Sequence, residues 1–363
     1  MNDYRIRKTL TASMIAISLS LSACGGGTAP VSKVEETPRS VVTLAPSPEP
    51  TPTPLPYTSL FTGAALEEER LERPIAVMVN NFAAARPQSG LTEADVIWEV
   101  LAEGGITRLV AIFQSSTAIT ETIGPVRSNR PYLIDIADSY GAIMAHAGAS
   151  QGGYAILQRQ KKPYLDEISN AGAFYWRSKE RKAPHNLYTN LEKLRQGRDK
   201  RGYHNDAPQV AYLFHEAGTA PTYLQAVEAK QFSFIFTLKN YRVGYEYDEA
   251  TSLYKRFIND EPHTDKNNEQ QLVASNLIVM NANHQTLDGE GRLEIDLTSG
   301  GKAILIQKGK AMEVEWLRAA DEMIRWTKDG EEIKLLPGKT IVHIVPKRSE
   351  LLEHIAGINF VKE

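Results

Sequence analysis

The segment Gly124-Pro125-Val126-Arg127-Ser128-Asn129-Arg130 places two guanidinium groups beside a hydroxyl and an amide. Glycine and proline at its start restrict the backbone, so they fix where the following side chains point. Arginine side chains bind phosphate and carboxylate groups through paired hydrogen bonds. The segment therefore predicts a site for an anion.

Other side chains would complete such a site if the fold brought them together. Gly148-Ala149-Ser150 opens a predicted helix, and the N terminus of a helix favours negative charge. The candidate set for an anion or ligand is Arg108, Arg127, Ser128, Arg130, Ser150, Arg181, His185 and Asn186. The alternative is that the arginines form structural salt bridges with nearby acids, namely Glu99, Glu103, Asp135 and Asp138.

The stretch Gly148-Ala149-Ser150-Gln151-Gly152 also matches the G-x-S-x-G pattern of a hydrolase nucleophile. Asp166 or Glu180, followed by His185, His204 or His215, would give a serine, acid and histidine in the usual chain order. Against this, the β-rich remainder of the chain does not supply the sheet of such hydrolases. A helix-capping role for Ser150 explains the same residues. Ser150 and His185 remain catalytic candidates, and catalysis stays an open question.

Metal-ligand spacing is sparse in this sequence. Glu261, His263 and Asp265 alternate, so on a strand they would share one face and offer ligands to a cation. The alternative is the polar tip of a hairpin. His215-Glu216 lacks the second histidine of H-E-x-x-H, because Thr219 stands in its place. We expect no cofactor, and the three alternating residues are candidates only.

Composition limits the classes of protein that these residues can serve. The chain has 363 residues with 42% hydrophobic and 23% charged residues, which is typical of globular proteins. Its formal net charge is -3, whereas a dedicated nucleic-acid binder is usually basic. We therefore expect no nucleic-acid partner.

The only cysteine, Cys24, follows a basic stretch and a short apolar run that ends in Leu21-Ser22-Ala23. This pattern is typical of a bacterial lipoprotein signal, which predicts a signal peptide over residues 1–23 and acylation of Cys24. The predicted signal carries a net +2, so the mature chain would carry -5. We expect a protein anchored by its lipid to the extracytoplasmic face of the cell membrane.

Composition and periodicity then divide the rest of the chain. Residues 24–70 form a predicted linker, in which proline occupies every second position from Pro46 to Pro56. Residues 71–220 are expected to form an α/β domain with a mixed sheet, because apolar strand-like runs alternate with helices at 129–140 and 154–160. Residues 221–350 are expected to form a mostly-β domain, since short strand-like runs alternate with Gly turns. Residues 351–363 are expected to be a tail.

Specific motifs also connect this chain with a known family. They are Arg73 to Asn81, Ala85 to Leu91, Ala102 to Arg108, Ile123 to Ser128, His146 to Gly148, Ala183 to Thr189, Tyr247, Tyr254 to Arg256, and Pro262 to Asp265. Over about residues 71–348 the chain resembles the YerB-type lipoproteins. The resemblance implies a two-domain surface lipoprotein of Gram-positive bacteria with no established activity. It implies no catalytic residues.

Together these observations predict a membrane-anchored binding or scaffold module of the cell envelope. Its ligand would be an anionic envelope polymer or a membrane protein. The alternative is an enzyme, similar to a phosphotransferase or hydrolase, that acts on phosphate-linked envelope precursors. A single pocket that gathers Arg127, Arg130, Ser150 and His185 would favour the enzyme.

Overall fold

The computed structural model describes residues 57–205, 210–216, 219, 225–319, 322–348 and 350–360. These residues belong to one compact unit, Thr53–Glu363. Cys24, the predicted signal peptide and the proline-rich part of the predicted linker lie outside the described residues.

The first part of the chain combines strands with helices. Its strands are β1 Tyr57–Thr58, β2 Ala65–Leu66, β3 Ile75–Asn80, β4 Val96–Leu101, β5 Thr107–Phe113, β6 Ile143–His146, β7 Tyr164–Asp166, β8 Trp176–Arg177 and β9 Leu187–Tyr188. Its α-helices are α1 Pro131–Ser139, α2 Gln151–Arg159 and α3 Leu191–Lys200. Short 3-10 helices cover Ala83–Ala85, Leu91–Glu93, Glu103–Gly105 and Gly172–Phe174.

The described part of the second region is built from strands and one 3-10 helix, Leu351–His354. The strands are β10 Val227–Glu228, β11 Gln231–Ile235, β12 Arg242–Asp248, β13 Leu253–Ile258, β14 Glu261–Pro262, β15 Val273–Ala274, β16 Asn276–Ala282, β17 His284–Thr286, β18 Leu293–Ile295, β19 Gly301–Gln307, β20 Lys310–Leu317, β21 Arg325–Lys328, β22 Glu331–Glu332, β23 Thr340–Pro346 and β24 Ile355–Ala356. The segment expected to be a tail thus contains β24, which pairs with β11.

One long mixed sheet contains strands from both regions. Its order among the described strands is β22-β21-β20-β19-β16-β23-β4-β5-β3-β6-β7, and β10 pairs with β20. The two regions meet where β23 runs parallel to both β16 and β4. A second, smaller sheet has the order β14-β13-β12-β11-β24, with β15 beside β13. The confirmed fold class is an α/β region followed by a mostly-β region.

The two faces of the long sheet bury different partners. On one face, Trp98 and Val110 pack with Leu133 and Ile136 of α1. On the other face, Ile97 and Leu109 belong to the same core as Phe234 and Tyr245 of the smaller sheet. Alternate residues of a strand point to opposite faces, so β4 and β5 contribute to both cores at once.

Local sequence accounts for the helices. Pro131 occupies the first position of α1, where its missing N–H costs nothing. Ser150 and Asn190 cap α2 and α3, because their side chains accept hydrogen bonds from backbone N–H groups three residues later. None of the described helices has the length and apolar character needed to cross a membrane.

The shared sheet predicts that the first region does not fold alone. Residues 57–205 without the rest of the chain would leave β4, all six of whose residues are buried, without its neighbour β23. An uncovered apolar edge of this kind promotes aggregation. We expect this fragment to elute as aggregate and to show no cooperative thermal transition, whereas residues 57–363 show one. A monomeric fragment with a sharp transition would contradict this.

Candidate functional site

Four of the predicted anion-binding residues come together in the structure, and we call them the arginine cluster: Arg108, Arg127, Ser128 and Arg130. Arg108 lies on β5. The other three lie on the segment before α1, which runs along the end of β3, since the Arg127 N–H donates to the Met78 carbonyl at 2.8 Å. The Asn129 N–H donates to the Gly148 carbonyl at 2.8 Å, which fixes the segment on its other side. The backbone therefore places the cluster.

Ser128 and Glu103 hold two of the three guanidinium groups. Arg108 Nη1 donates to the Ser128 carbonyl at 2.7 Å, and Arg130 Nη1 donates to Ser128 Oγ at 3.1 Å. Arg130 Nε also forms an ion pair with Glu103. Burial opposes ionisation of Glu103, but the hydrogen bond and charge of Arg130 outweigh it and lower the pKa of Glu103. One carboxylate thus faces three arginines.

The remaining positive charge is not neutralised within the cluster. Arg127 has no side-chain hydrogen bond or ion pair with the described residues. Arg108 is 6% exposed, and its Nε has no hydrogen-bond partner there. Burial, together with the neighbouring Arg130, lowers the pKa of Arg108 to about 10 and also lowers the pKa of Arg127. The cluster therefore has guanidinium groups with unused donors and mutual repulsion, which a bound anion would relieve.

His185 lies at the border of this cluster. Its Nδ1 is 2.9 Å from Asn80 Nδ2, so it accepts that hydrogen bond, and its ring stacks on Phe82 at a centroid distance of 5.2 Å. Burial and the positive charges of Arg127 and Arg181 lower the pKa of His185. The imidazole is thus neutral near pH 7 and oriented by Asn80.

The other candidates make structural contacts instead. Arg181 donates to the carbonyls of Ala85 and Pro87, both at 2.7 Å. Asn186 Nδ2 donates to the Ser178 carbonyl at 3.0 Å. Ser150 Oγ accepts from the Gly153 N–H at 3.2 Å.

No hydrogen bond among the described residues joins Ser150 to His185. Asp166, the acid of the hypothetical triad, accepts hydrogen bonds from the Gly148 N–H at 2.6 Å and from Tyr154 at 2.8 Å. The geometry does not assemble a serine nucleophile with its base.

The metal candidates are separated as well. Glu261 is exposed, whereas His263 and Asp265 are buried. Asp265 accepts from the N–H groups of Gly90 at 3.0 Å and Thr92 at 2.9 Å. Within the described residues, no group of three or more His, Cys, Asp or Glu side chains is placed to hold a metal ion.

A buried polar network between the two sheets was not predicted from the sequence. Glu99 of β4 is fully buried, and its Oε2 accepts from Arg256 Nη2 of β13 at 2.7 Å. Its Oε1 accepts from Thr107 at 2.7 Å and from Tyr241 at 2.5 Å. Burial alone would raise the pKa of Glu99, but the charge of Arg256 together with the interactions of His343 and Tyr241 outweighs burial and holds that pKa well below its usual range. The carboxylate is therefore ionised inside the core.

Two histidines extend this network, which we call the Glu99 network. His343 of β23 lies 3.0 Å from Glu99 Oε2 through Nδ1 and 2.9 Å from the Tyr245 hydroxyl through Nε2. His263 Nδ1 accepts from Arg256 Nε at 2.9 Å, so its Nε2 carries the proton that Gln88 Oε1 accepts at 2.7 Å. Burial lowers the pKa of His343 to about 4 and that of His263 well below its usual value. Both rings are neutral near pH 7.

Sequence signals for this network exist. Glu99 interrupts the apolar run Val96-Ile97-Trp98-Glu99-Val100-Leu101, and a charged residue inside a buried strand requires a partner. Arg256 shares a strand face with Tyr254 and Ile258, which are buried. What the sequence lacks is any indication that these two residues, 157 positions apart, meet.

Comparisons with known proteins agree with this architecture. Residues 61–204 match the N-terminal domain of a protein of unknown function (DUF3048), and residues 232–342 match the C-terminal domain of the same family. The chain belongs to the DUF3048 family. The two relatives described next also confirm the resemblance to YerB-type proteins.

Two relatives of this DUF3048 chain are informative. One is the protein named "Putative lipoprotein YerB" of Bacillus subtilis (strain 168), which is 35% identical over 288 residues, or 78% of this chain and 85% of that protein. The other is the crystal structure of the YerB protein from Bacillus subtilis. This chain matches that structure with a TM-score of 0.74 and 33% sequence identity, and the match covers 83% of this chain and 99% of the YerB chain.

The buried histidines predict that this DUF3048 protein loses stability in mild acid. Burial also lowers the pKa of His146 to about 4. An unfolded histidine binds a proton below about pH 6.5, whereas His146, His263 and His343 in the folded state do not, so acid favours unfolding. The free energy of unfolding should fall between pH 6.5 and 5 by up to about 1.4 kcal/mol per pH unit for each histidine. Urea titration across this range measures it, and a constant value would contradict it.

The cap of α2 predicts the effect of replacing Ser150. Ser150→Ala removes the acceptor for the Gly153 N–H and should lower the free energy of unfolding by about 1 kcal/mol. Ser150→Asn keeps a side-chain oxygen that accepts this bond, so it should restore most of the loss. Chemical denaturation of the three proteins measures both differences. An alanine variant as stable as the parent would show that the cap contributes nothing.

Proposed function

We propose that this chain is a lipid-anchored protein of the extracytoplasmic membrane face. The support is the lipobox-like segment Leu21-Ser22-Ala23-Cys24 together with a relative that is named a lipoprotein. Acylation of Cys24 would leave a proline-rich stretch between the membrane and the folded unit. The protein would therefore present its surface to ligands of the cell envelope.

The proposed function of the folded unit is to bind an anionic group of an envelope polymer at the arginine cluster. The observation that carries this proposal is the guanidinium of Arg127, which has no partner among the described residues and lies beside Arg108 and Arg130, with Glu103 as the single counter-charge that the described part of the chain gives the group. Natural proteins usually neutralise such repulsion, so its persistence supports a role for an external anion. A phosphodiester offers two acceptor oxygens, which match a guanidinium fork.

Binding without covalent chemistry suits this geometry better than catalysis. Ser150, the candidate nucleophile, is engaged as a helix cap, and His185 receives its hydrogen bond from Asn80. What the cluster can offer a ligand is positive charge and hydrogen-bond donors, which are sufficient for recognition.

A binding titration tests this function. A soluble form that begins at residue 25 is titrated with an oligomer of glycerol phosphate by isothermal calorimetry. We expect saturable binding that weakens as salt rises, because the attraction is between charges. Arg127→Gln should raise Kd about tenfold, which corresponds to about 1.4 kcal/mol.

The matched control is Arg159→Gln at the end of α2, an exposed arginine whose loss changes the net charge equally. It should leave Kd unchanged. Equal affinity of the parent and Arg127→Gln would place the binding elsewhere and refute the arginine cluster as the site. Absence of binding to the oligomer, with capture of a membrane protein that depends on Arg127, would show instead that the anion belongs to a protein partner.

A further inference from the structure

A small cavity lies beside the Glu99 network, where the turn after β4 meets the loop between β11 and β12. Its volume is about 120 Å³. The lining residues that matter for recognition are Phe82, Arg86, Ile106, Thr107, Leu238 and Tyr241. Thr107 and Tyr241 form its inner wall and already donate their hydroxyl groups to Glu99. The wall is thus rigid and its donors are occupied.

Arg86 supplies the unused donors of this cavity. Its side chain makes no hydrogen bond or ion pair with the described residues, and Nη1 is buried without a partner. The guanidinium carbon lies 5.3 Å from the centre of the Tyr241 ring, which holds the group at the cavity. A buried donor without an acceptor is energetically unfavourable, so this arrangement favours a ligand that supplies one.

The charge of Arg86 is also uncompensated. Glu99 is the ionised acid of the adjacent network, and it is paired with Arg256. His263 is near enough to Arg86 and Arg256 for both positive charges to help burial in lowering its pKa. Among the described residues that line the cavity or belong to the Glu99 network, Arg86 is therefore one positive charge without an acidic partner, which a single negative charge would balance.

The outer wall of the cavity is apolar. Phe82 is 41% exposed and Leu238 is 39% exposed, so both offer apolar surface to a ligand. Gly105 has φ +72°, and a Cβ atom on it would stand 2.7 Å from Leu238 Cγ. This glycine therefore lets Leu238 close against the turn and form one side of the cavity.

We infer that this cavity binds a small monocarboxylate with a short apolar group. The carboxylate would pair with Arg86, and the apolar group would lie between Phe82 and Leu238. Such a ligand is either a free short-chain acid or the C-terminal residue of a peptide. A phosphate group suits the cavity less, because it carries up to two charges against one guanidinium and has no apolar part.

This site is distinct from the arginine cluster. Thr107 and Arg108 are consecutive on β5, so their side chains point to opposite faces of the sheet. The contacts agree, since Thr107 bonds Glu99 whereas Arg108 bonds Ser128. The inference therefore does not depend on the proposed function.

Titrations followed by amide NMR shifts test the inference. The ligands are isovalerate, N-acetyl-alanine, isovaleramide and inorganic phosphate. We expect the two carboxylates to shift the amide signals of residues around the cavity. Tighter binding of isovalerate would indicate a free short-chain acid as the ligand, and tighter binding of N-acetyl-alanine would indicate the C-terminal residue of a peptide. Isovaleramide has the shape of isovalerate without its charge and should bind at least about tenfold more weakly. Equal binding of acid and amide, or tighter binding of phosphate, would overturn the inference.

Two variants assign the binding to this cavity. Arg86→Gln should weaken isovalerate binding at least about tenfold, and its Tm should not fall, because an unbalanced charge is removed. Ala83→Trp, at an exposed lining position, should fill the cavity and also abolish binding. Arg159→Gln is the charge-matched control and should bind as the parent does. Parent-like affinity of either cavity variant would refute the site.

Discussion

The ion pair between Glu99 and Arg256 constrains the way in which the two sheets of this protein pack. Both side chains are almost completely buried, and each comes from a different sheet. Removing one partner from a buried pair typically costs 3–5 kcal/mol, because the other charge is left without compensation. The smaller sheet therefore cannot shift or separate without exposing an ionised carboxylate to an apolar core. Specificity of packing, more than net stability, is what such a pair supplies.

The same pair orients the groups around it. Arg256 donates to His263 and Tyr245, and these in turn contact Gln88 and His343. Each neutral histidine has one nitrogen that donates and one that accepts, so both tautomers follow from the guanidinium. Tyr241 is fixed through its bond to Glu99, and Arg86 lies over the Tyr241 ring. The shape of the cavity thus depends on the charge of Glu99, although Glu99 does not itself line the cavity.

Local sequence patterns predict the α/β character of the first region and the mostly-β character of the second. The helices expected at residues 129–140 and 154–160 overlap α1 and α2. The helix α3 is not predicted, because only Leu191, Leu194 and Gly197 form its buried side and the rest of the helix is polar. The pairing of β23 with β4 was also out of reach, since it joins residues about 240 positions apart and adjacent strands in space need not be adjacent in sequence.

The candidate sites divide according to the range of their contacts. Arg127, Ser128 and Arg130 lie within four positions of each other, so the sequence alone brings them close, and backbone hydrogen bonds to Met78 and Gly148 then hold the segment in place. Arg181 looked equally suitable, but carbonyl groups from the segment before Gln88 use its donors. Arg86 is not among the predicted site residues, because its role depends on the acidic partner that it lacks, and only the fold shows that the nearby carboxylate of Glu99 is paired with Arg256. This chain carries a net negative charge, yet it contains sites of positive charge. Such sites form where the fold, and not the overall charge, determines which arginines remain without an acidic partner.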